Sequence, residues 1–449
     1  MAHIQPFAAW RFNPAKVRLE DVLTQPYDKI TPEMQKAYYE ASPFNLVRLE
    51  LGKKDPADSD TSNVYIRAAE FLESSRKEGA LVQDIGPSIY AYSQTFTPPG
   101  KKGPAMTRRG FIALARLHDY ADAVVFRHEQ TLSKPKADRL NLLRSTKVHS
   151  GQIFMLYSDP EREVEALIWK AAGKAAPAAE MTDEYGVIHR LWRISDPATI
   201  LAVRDKMVDK KLLIADGHHR YETALTYRNE CRAEEGMDMA DFGRTGQMAV
   251  KVRSPYENLM MTMINMEDAG LLILPTHRLV HGLASFQPQT MLKDARRYFD
   301  VSPLEKEVTA AQVMERLETS GRVGQVLAAH TAEGTFLLTA KKSEIEARLQ
   351  DISAEQRALD VMVLHKVLLE DVMGISEEAI RDQTHLEYIR DAAEAMKKVT
   401  SGANVAFLMN PVKIEQMRDV SFSGQVMPQK STDFYPKLMS GLTLYDVGR

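Results

Sequence analysis

Leu212-Leu213-Ile214-Ala215-Asp216-Gly217-His218-His219-Arg220-Tyr221 is the stretch on which the reading of this chain depends. Lys211 to Ala215 has the length and apolar content of a buried strand. Asp216-Gly217 is a turn signal, and the residues from Arg220 to Glu235 read as a helix. A buried strand that hands the chain through a tight turn into a helix is the repeating unit of α/β folds, and ligands sit at that edge of the sheet. Each residue of the turn has a physical use. Gly217 permits a tight turn and close approach of a ligand to the backbone. The first helical turn offers N–H groups and the positive end of a dipole, which favour an anion. Arg220 can make a forked contact with phosphate oxygens, and His218 and His219 add donors. Asp216 places a carboxylate beside the same anion, suited to a metal ligand or a general base. The plain alternative is a capped helix, with Asp216 as cap and Arg220 paired with Glu222. Two histidines and an arginine in series favour the anion site.

Working outward, the expected fold class is α/β, in a mixed α+β arrangement, with a mixed or partly parallel sheet under helical cover. Three segments are expected: 1–160, 161–303 with the turn, and 304–449. No Ser/Gly linker separates them, so they are expected to be closely docked. In the first, Gln25-Pro26-Tyr27-Asp28 is a turn, and Thr31-Pro32-Glu33 opens a helix with threonine as cap. Tyr65 to Glu78 reads as helix, while Ser88 to Phe96 and Arg109 to Leu117 read as paired strands. In the second, Ile188 to Ile194 is a strand, and Asp196-Pro197 caps a helix reaching about Val208. Leu259 to Met266 and Leu271 to Leu274 are buried strands. In the third, Val326 to His330 and Thr335 to Thr339 form a hairpin. Ala358 to Glu370 and Ile389 to Val399 are helices, and Val405 to Met409 is a strand.

The chain has 449 residues, 44% hydrophobic and 27% charged, the balance of a folded globular protein of more than one core. A net charge of -3 offers no general basic field for nucleic acid, which is not an expected partner. One cysteine, Cys231, excludes an internal disulfide and a thiolate metal site. No signal peptide or membrane-spanning run is read, so a cytoplasmic protein is expected. The chain lacks a zinc-binding histidine helix, a Gly-x-Ser-x-Gly elbow and a Gly-x-Gly-x-x-Gly loop, which argues against a hydrolase triad and a Rossmann dehydrogenase.

Further polar clusters stand apart from the turn. Arg127-His128-Glu129-Gln130-Thr131 precedes a lysine-rich helix start in which Asp138-Arg139 follows; Glu129 could hold Mg²⁺ or take a proton, with His128 beside it. Solvated surface charge is the competing reading. Thr276-His277-Arg278 follows an apolar strand that Pro275 ends, so His277 and Arg278 are expected at a strand's C-terminal edge, as site or as structure. Gln429-Lys430-Ser431-Thr432 lacks a P-loop frame. Lys430 could still neutralise phosphate, and Ser431 or Thr432 could donate to it.

Asp216-Gly217-His218-His219-Arg220-Tyr221 resembles the nucleotide-phosphate turn of the ParB/sulfiredoxin superfamily, whose free-serine kinases carry a closely similar Asp-Gly-His-His-Arg run. Over nearly its whole length the chain resembles the bacterial and archaeal family known as domain of unknown function 1015. That resemblance rests on Pro26-Tyr27-Asp28, His128-Glu129-Gln130-Thr131 with Asp138-Arg139, the turn itself, Pro275-Thr276-His277-Arg278, and Met427 to Thr432 with Tyr435-Pro436-Lys437. It implies a ParB/sulfiredoxin-like nucleotide-binding core docked to further α/β segments. ATP or ADP and Mg²⁺ would be cofactors. Gly217, His218, His219 and Arg220 would meet phosphates, with Arg139, His277, Arg278, Lys430, Ser431 and Thr432 as further phosphate ligands. Asp216, Glu129 and His128 would be the catalytic candidates. Three functions fit: a phosphotransferase on a small hydroxyl metabolite such as free serine, a nucleotide-binding regulatory module without turnover, and an enzyme gripping a phosphorylated or carboxylated metabolite without nucleotide.

Overall fold

The structure is a computed structural model and describes residues 1–100, 103–129, 133–173, 175–236 and 254–448, with the side chains of 133–135 excepted. The motif residues Gln130 and Thr131 lie outside the described residues. The fold is mixed α/β, and the chain divides into two compact units. The first comprises 1–127, 131–271 and 436–449; the second comprises 128–130 and 272–435.

The first unit is built on a nine-stranded sheet. Its order is Val125–Phe126, Leu212–Asp216, Ile153–Tyr157, Asn258–Asn265, Met106–Arg116, Ile89–Phe96, Ile188–Ile194 and Ala179–Thr182, with Ile4–Gln5 paired beside Met106–Arg116. Two of the pairings are parallel, Leu212–Asp216 with Val125–Phe126 and Asn258–Asn265 with Ile153–Tyr157; the others are antiparallel. Strand alternation splits the sheet into two faces. Leu212, Ile214, Ile153, Met155, Met261 and Met263 point into the main core with Val164, Ile168, Ile200, Val203, Tyr221 and Ala224 from the covering helices. Those helices are Glu163–Ala172, Pro197–Met207 and His218–Glu234. The other face carries buried Phe154, Leu156, Leu213, Ile112 and Leu114, and among them polar side chains bonded to the C-terminal segment or to one another. Gln152 donates to Thr443 at 3.4 Å and accepts from Thr262 at 2.5 Å.

The second unit holds a six-stranded antiparallel sheet in the order Phe299–Pro303, Gly334–Ala340, Val326–Thr331, Val405–Met409, His277–Val280 and Leu386–Ile389. Its core joins Leu279, Val326, Ala328, Ala406 and Leu408 to Val313 and Leu317 of the helix Ala310–Ser320 and to Ala395 and Val399 of the helix Ala392–Thr400.

The expected hairpin over 331–334 is present, as are the caps at Thr31 and Asp196. Three expectations need correction. The region 358–370 is not one regular helix: short helices span Ala354–Arg357 and Asp360–Val363, and the second runs on as the π-helical turns Leu364–Val372. Apolar spacing identifies a helix but not its hydrogen-bond pitch. The helix placed over 389–399 begins only at Ala392, with Asp391 as its cap, because buried Ile389 belongs to a strand paired with His277. His277 and Arg278 do not trail from a strand end; they open an interior strand of their own, flanked on both sides. Pro275 ends one strand, and only two residues later the next sheet begins.

Candidate functional site

The strand Leu212–Asp216 delivers the turn as expected, and an irregularity in register against Ile153–Tyr157 falls between Ile214 and Asp216. Such a bulge re-aims the side chain that follows it. Asp216 Oδ1 accepts from the Gly217 N–H at 2.8 Å, and Oδ2 lies 3.3 Å from Lys437 Nζ. Gly217 is the N-cap of the helix His218–Glu234 at φ +96, a left-handed conformation that suits glycine, and no side chain caps the helix. Asp216 is therefore not a helix cap. Burial opposes its ionisation, but the Lys437, Arg220 and Lys29 charges outweigh that and hold its pKa well below the usual carboxylate value.

Arg220 is the telling residue of the turn. Its guanidinium makes no hydrogen bond and no ion pair among the described residues. The expected competitor for it, Glu222, pairs instead with Arg127 at 3.7 Å and with Lys136. The guanidinium lies along two glycines. A Cβ on Gly151 would stand 2.5 Å from Arg220 Nη1, and one on Gly217 would stand 3.3 Å from Nη2. Both positions leave room that any side chain would take away.

Other motifs converge on this place from distant parts of the first unit. Tyr27 lies within electrostatic reach of Arg220, Arg139 and Glu50, and burial pushes its hydroxyl pKa up against the pull of the two arginines. Arg139 stacks over the Tyr27 ring at 4.3 Å, donates to the Glu50 carbonyl at 2.8 Å and forks onto Asp138. Its guanidinium is thus already engaged. Glu50 is 3% exposed, and its Oε1 makes no hydrogen bond among the described residues; neither does the buried Ser440 Oγ. Both atoms lie 3.5 Å from the point where a Gly151 Cβ would be, the same point that Arg220 crowds.

The segment carrying Lys437 and Ser440 is held from behind. Buried Arg108 donates to the Pro436 carbonyl at 2.5 Å and packs on the Phe154 ring, and Gln94 donates to the Lys437 carbonyl at 2.7 Å. Beside them runs a buried chain in which Tyr92 Oη meets His189 Nδ1 at 2.7 Å and His189 Nε2 meets Asp183 at 3.2 Å. Gln25, one residue before Pro26, donates to the same Asp183 oxygen at 3.2 Å.

The remaining expected residues gather in the second unit. His128 Nε2 lies 2.8 Å from Thr432 Oγ1, and Glu129 Oε1 accepts from the Ser431 N–H at 3.2 Å. Ser431 Oγ donates to the Pro428 carbonyl at 2.5 Å. Lys430 is exposed, in a left-handed conformation at φ +55. Arg278 donates to the carbonyls of Thr276 and Gln429. The buried His277 Nδ1 accepts from the Met409 N–H at 3.3 Å, and burial together with Arg278 pushes its pKa down to about 4. The candidates therefore sort into two groups: Asp216, Gly217, His218, His219, Arg220 and Arg139 in one unit, and His128, Glu129, His277, Arg278, Lys430, Ser431 and Thr432 in the other.

Sequence reasoning missed Glu50, Ser440, Lys437 and Gly151 as members of the first group. Lys437 and Tyr27 stood in quoted motifs without a role. Glu50 and Gly151 carry no local signal; only their convergence marks them. No group of three or more acidic, histidine or cysteine side chains that could hold a metal occurs among the described residues. Among the same residues no helix is long and apolar enough to cross a membrane.

The chain belongs to the family described as protein of unknown function DUF1015, whose profile matches residues 4–362. No curated protein sequence matches it. Among solved structures it is similar to a conserved hypothetical protein from Pyrococcus furiosus, at 11% identity and a TM-score of 0.34, over 74% of this chain and 95% of that one. It is also similar to a free serine kinase variant in complex with AMP, at 11% identity and a TM-score of 0.36, over 77% and 96%. SbnI from Staphylococcus aureus, truncated at its C-terminus, is similar at 9% identity and a TM-score of 0.35, over 74% and 87%.

Proposed function

We propose that this DUF1015 protein is a nucleotide-dependent phosphotransferase acting on a small hydroxyl metabolite, free serine being the first to test, with the phosphates held at the turn Asp216–Arg220. The observation that carries this reading is the Arg220 guanidinium, which lies between two glycines at a helix start and makes no hydrogen bond or ion pair among the described residues. A positioned guanidinium beside an uncapped helix N-terminus is a phosphate receptor. The Asp-Gly-His-His-Arg run, which free-serine kinases also carry, supports the same reading.

The roles follow from the contacts. Arg220 grips phosphate oxygens, with His218 and His219 as donors beside it. Asp216, the base expected from the sequence, already serves Lys437 and the Gly217 N–H, and its lowered pKa makes it a weak proton acceptor. Glu50 is the better placed base, since its Oε2 lies 3.8 Å from Arg139 while its buried Oε1 makes no hydrogen bond among the described residues, and a hydroxyl acceptor would supply one. Asp216 then sets the charge and position of Lys437. Mg²⁺ would arrive with the nucleotide and neutralise phosphate charge.

The test combines binding with turnover. ATP or ADP with Mg²⁺ and a panel of small hydroxyl compounds should give phosphorylated product. Arg220→Gln should weaken nucleotide binding by tenfold or more. Glu50→Gln should abolish turnover while nucleotide still binds. Turnover that persists in Glu50→Gln and is lost in Asp216→Asn returns the base to Asp216. A chain that binds phosphorylated or carboxylated metabolites through Arg220 but no nucleotide refutes the phosphotransferase.

A further inference from the structure

Asp183 is buried at the start of the connection 183–187 between the strands Ala179–Thr182 and Ile188–Ile194. It pairs with no lysine or arginine among the described residues. Its oxygens are taken by neutral donors instead. Oδ1 accepts from the Tyr185 and Val187 N–H groups, each at 2.9 Å. Oδ2 accepts from Gln25 Nε2 and from His189 Nε2, each at 3.2 Å. An ionised carboxylate only accepts, so it holds the His189 proton on Nε2. That leaves Nδ1 to accept from the Tyr92 hydroxyl at 2.7 Å. Burial pushes the His189 pKa down against the pull of Asp183, which keeps the ring neutral.

What Asp183 fixes reaches the turn at Asp216 from two sides. The first is the segment before Tyr27. The Gln25 amide that donates to Asp183 also donates to Met439 Sδ at 3.4 Å. Thr24 and Ser440 exchange backbone hydrogen bonds, 2.9 Å from the Ser440 N–H and 3.5 Å from the Thr24 N–H. Residues paired in this way face each other directly, so the place of Gln25 sets the place of Met439 and Ser440. The second side is the sheet beneath, where Asp183 orients His189. His189, Gln94 and Arg108 stand opposite one another in a row across neighbouring strands, all of them buried. Gln94 donates to the Lys437 carbonyl and Arg108 to the Pro436 carbonyl. Lys437 Nζ then reaches Asp216 at 3.3 Å. Ser440 Oγ and Arg220 Nη1 both stand within 3.5 Å of the point where a Gly151 Cβ would be. A buried carboxylate with neutral partners is costly, and well-packed apolar residues of similar volume would be no less stable. What the network supplies is direction: its bonds admit one placement of the segment, where apolar contacts admit several.

We propose that Asp183 is a positioning residue for the phosphate site at Asp216–Arg220, holding Gln25 and the His189 tautomer so that the returning segment presents Lys437 to Asp216 and Ser440 to Arg220. It acts through Gln25 and His189 and touches no phosphate itself. The proposal rests on the reading of that turn as a phosphate receptor.

The full chain is titrated calorimetrically with ADP and, separately, with inorganic phosphate. Asp183→Asn keeps the shape and the acceptor for Tyr185 and Val187 but turns a donor toward Gln25 and His189. It should weaken the binding seen in the unchanged chain about tenfold, at a temperature where urea unfolding shows the variant folded. Adding Gln25→Glu restores an acceptor opposite the new amide and should recover most of that affinity. Asp196→Ala removes a helix cap and leaves the network whole, so it should lose stability and keep its affinity; this sets a structural loss apart from a positioning one. Gln25→Leu stands in, with the same expected loss, if Asp183→Asn does not fold. A folded variant of either kind that binds as the unchanged chain does overturns the proposal. So does a double variant in which Gln25→Glu recovers nothing. An unchanged chain that binds neither ADP nor phosphate refutes the phosphate site, and the proposal falls with it; that result is distinct from binding that survives Asp183→Asn.

Discussion

At the scale of single residues, the candidate site is a matter of which groups are spent and which are not. Arg139 is spent on Asp138, the Glu50 carbonyl and the Tyr27 ring. Asp216 is spent on Lys437 and the Gly217 N–H. Among the described residues Arg220, Glu50 Oε1 and Ser440 Oγ make no hydrogen bond, and all three groups lie around the point where a Gly151 Cβ would stand. Gly151→Ala puts a methyl 2.5 Å from Arg220 Nη1, the far end of a flexible side chain, which will swing away at little cost to the fold. The expected result is a drop of about tenfold in nucleotide or phosphate affinity with thermal stability nearly unchanged, read by calorimetry and a melting curve together. A large loss of stability would mean that the space beside Gly151 serves packing rather than a ligand. Histidines add a pH dependence. Burial pushes His149 and His277 down to about 4 from an ordinary 6.5. Below pH 6.5 the unfolded chain takes up protons there that the folded chain refuses, so stability is full above 6.5 and falls as pH drops toward 4. Each site is worth up to ~3 kcal/mol over that window by the linkage relation. Urea unfolding at pH 7 and pH 5 should show the loss, and His149→Gln should reduce it.

At the scale of elements, local signals held where the chain obeys local rules. Asp196 accepts from the Thr199 N–H at 2.8 Å and starts the helix Pro197–Met207 where the Asp-Pro pair said it would. Asp196→Ala should cost about 1 kcal/mol in chemical denaturation, with Asp196→Asn nearly neutral. Equal costs for both would place the effect in charge rather than in the cap. Boundaries and pitch failed where tertiary packing overrides propensity. Ile389 reads equally well as the first turn of a helix or the last residue of a strand, and its pairing with His277 decides. Leu364–Val372 reads as α-helix from its apolar spacing yet takes the π pitch. His365, whose buried Nε2 makes no hydrogen bond among the described residues, sits there.

At the scale of the whole molecule, the chain leaves the first unit and comes back. Residues 436–449 rejoin it after the second unit is complete, and they bring Lys437 and Ser440. Arg108 and Gln94 hold the returning backbone at Pro436 and Lys437. Ending the chain at Tyr435 should therefore remove the partner of Asp216, strip Arg108 of a carbonyl and abolish nucleotide binding at the turn. Lys437→Met in the full chain separates the two effects: it should weaken binding without the loss of stability that the truncation brings. A truncated chain that binds nucleotide as the full chain does would show that the returning segment is no part of the site.

The sequence by itself determined the α/β class, most strands and helices, the family and the turn after Ala215, because each of these is written in local pattern: apolar period, caps, turn residues and contiguous motifs. Only the tertiary structure decided that the motifs form two groups rather than one, that Arg139 is engaged and Arg220 is not, and that Glu50, Gly151 and Ser440 belong beside the turn. The physical reason is that a hydrogen bond made or left unmade between residues far apart in sequence leaves no trace in local pattern; it exists only once strands from distant parts of the chain are paired and the C-terminal segment has returned to them.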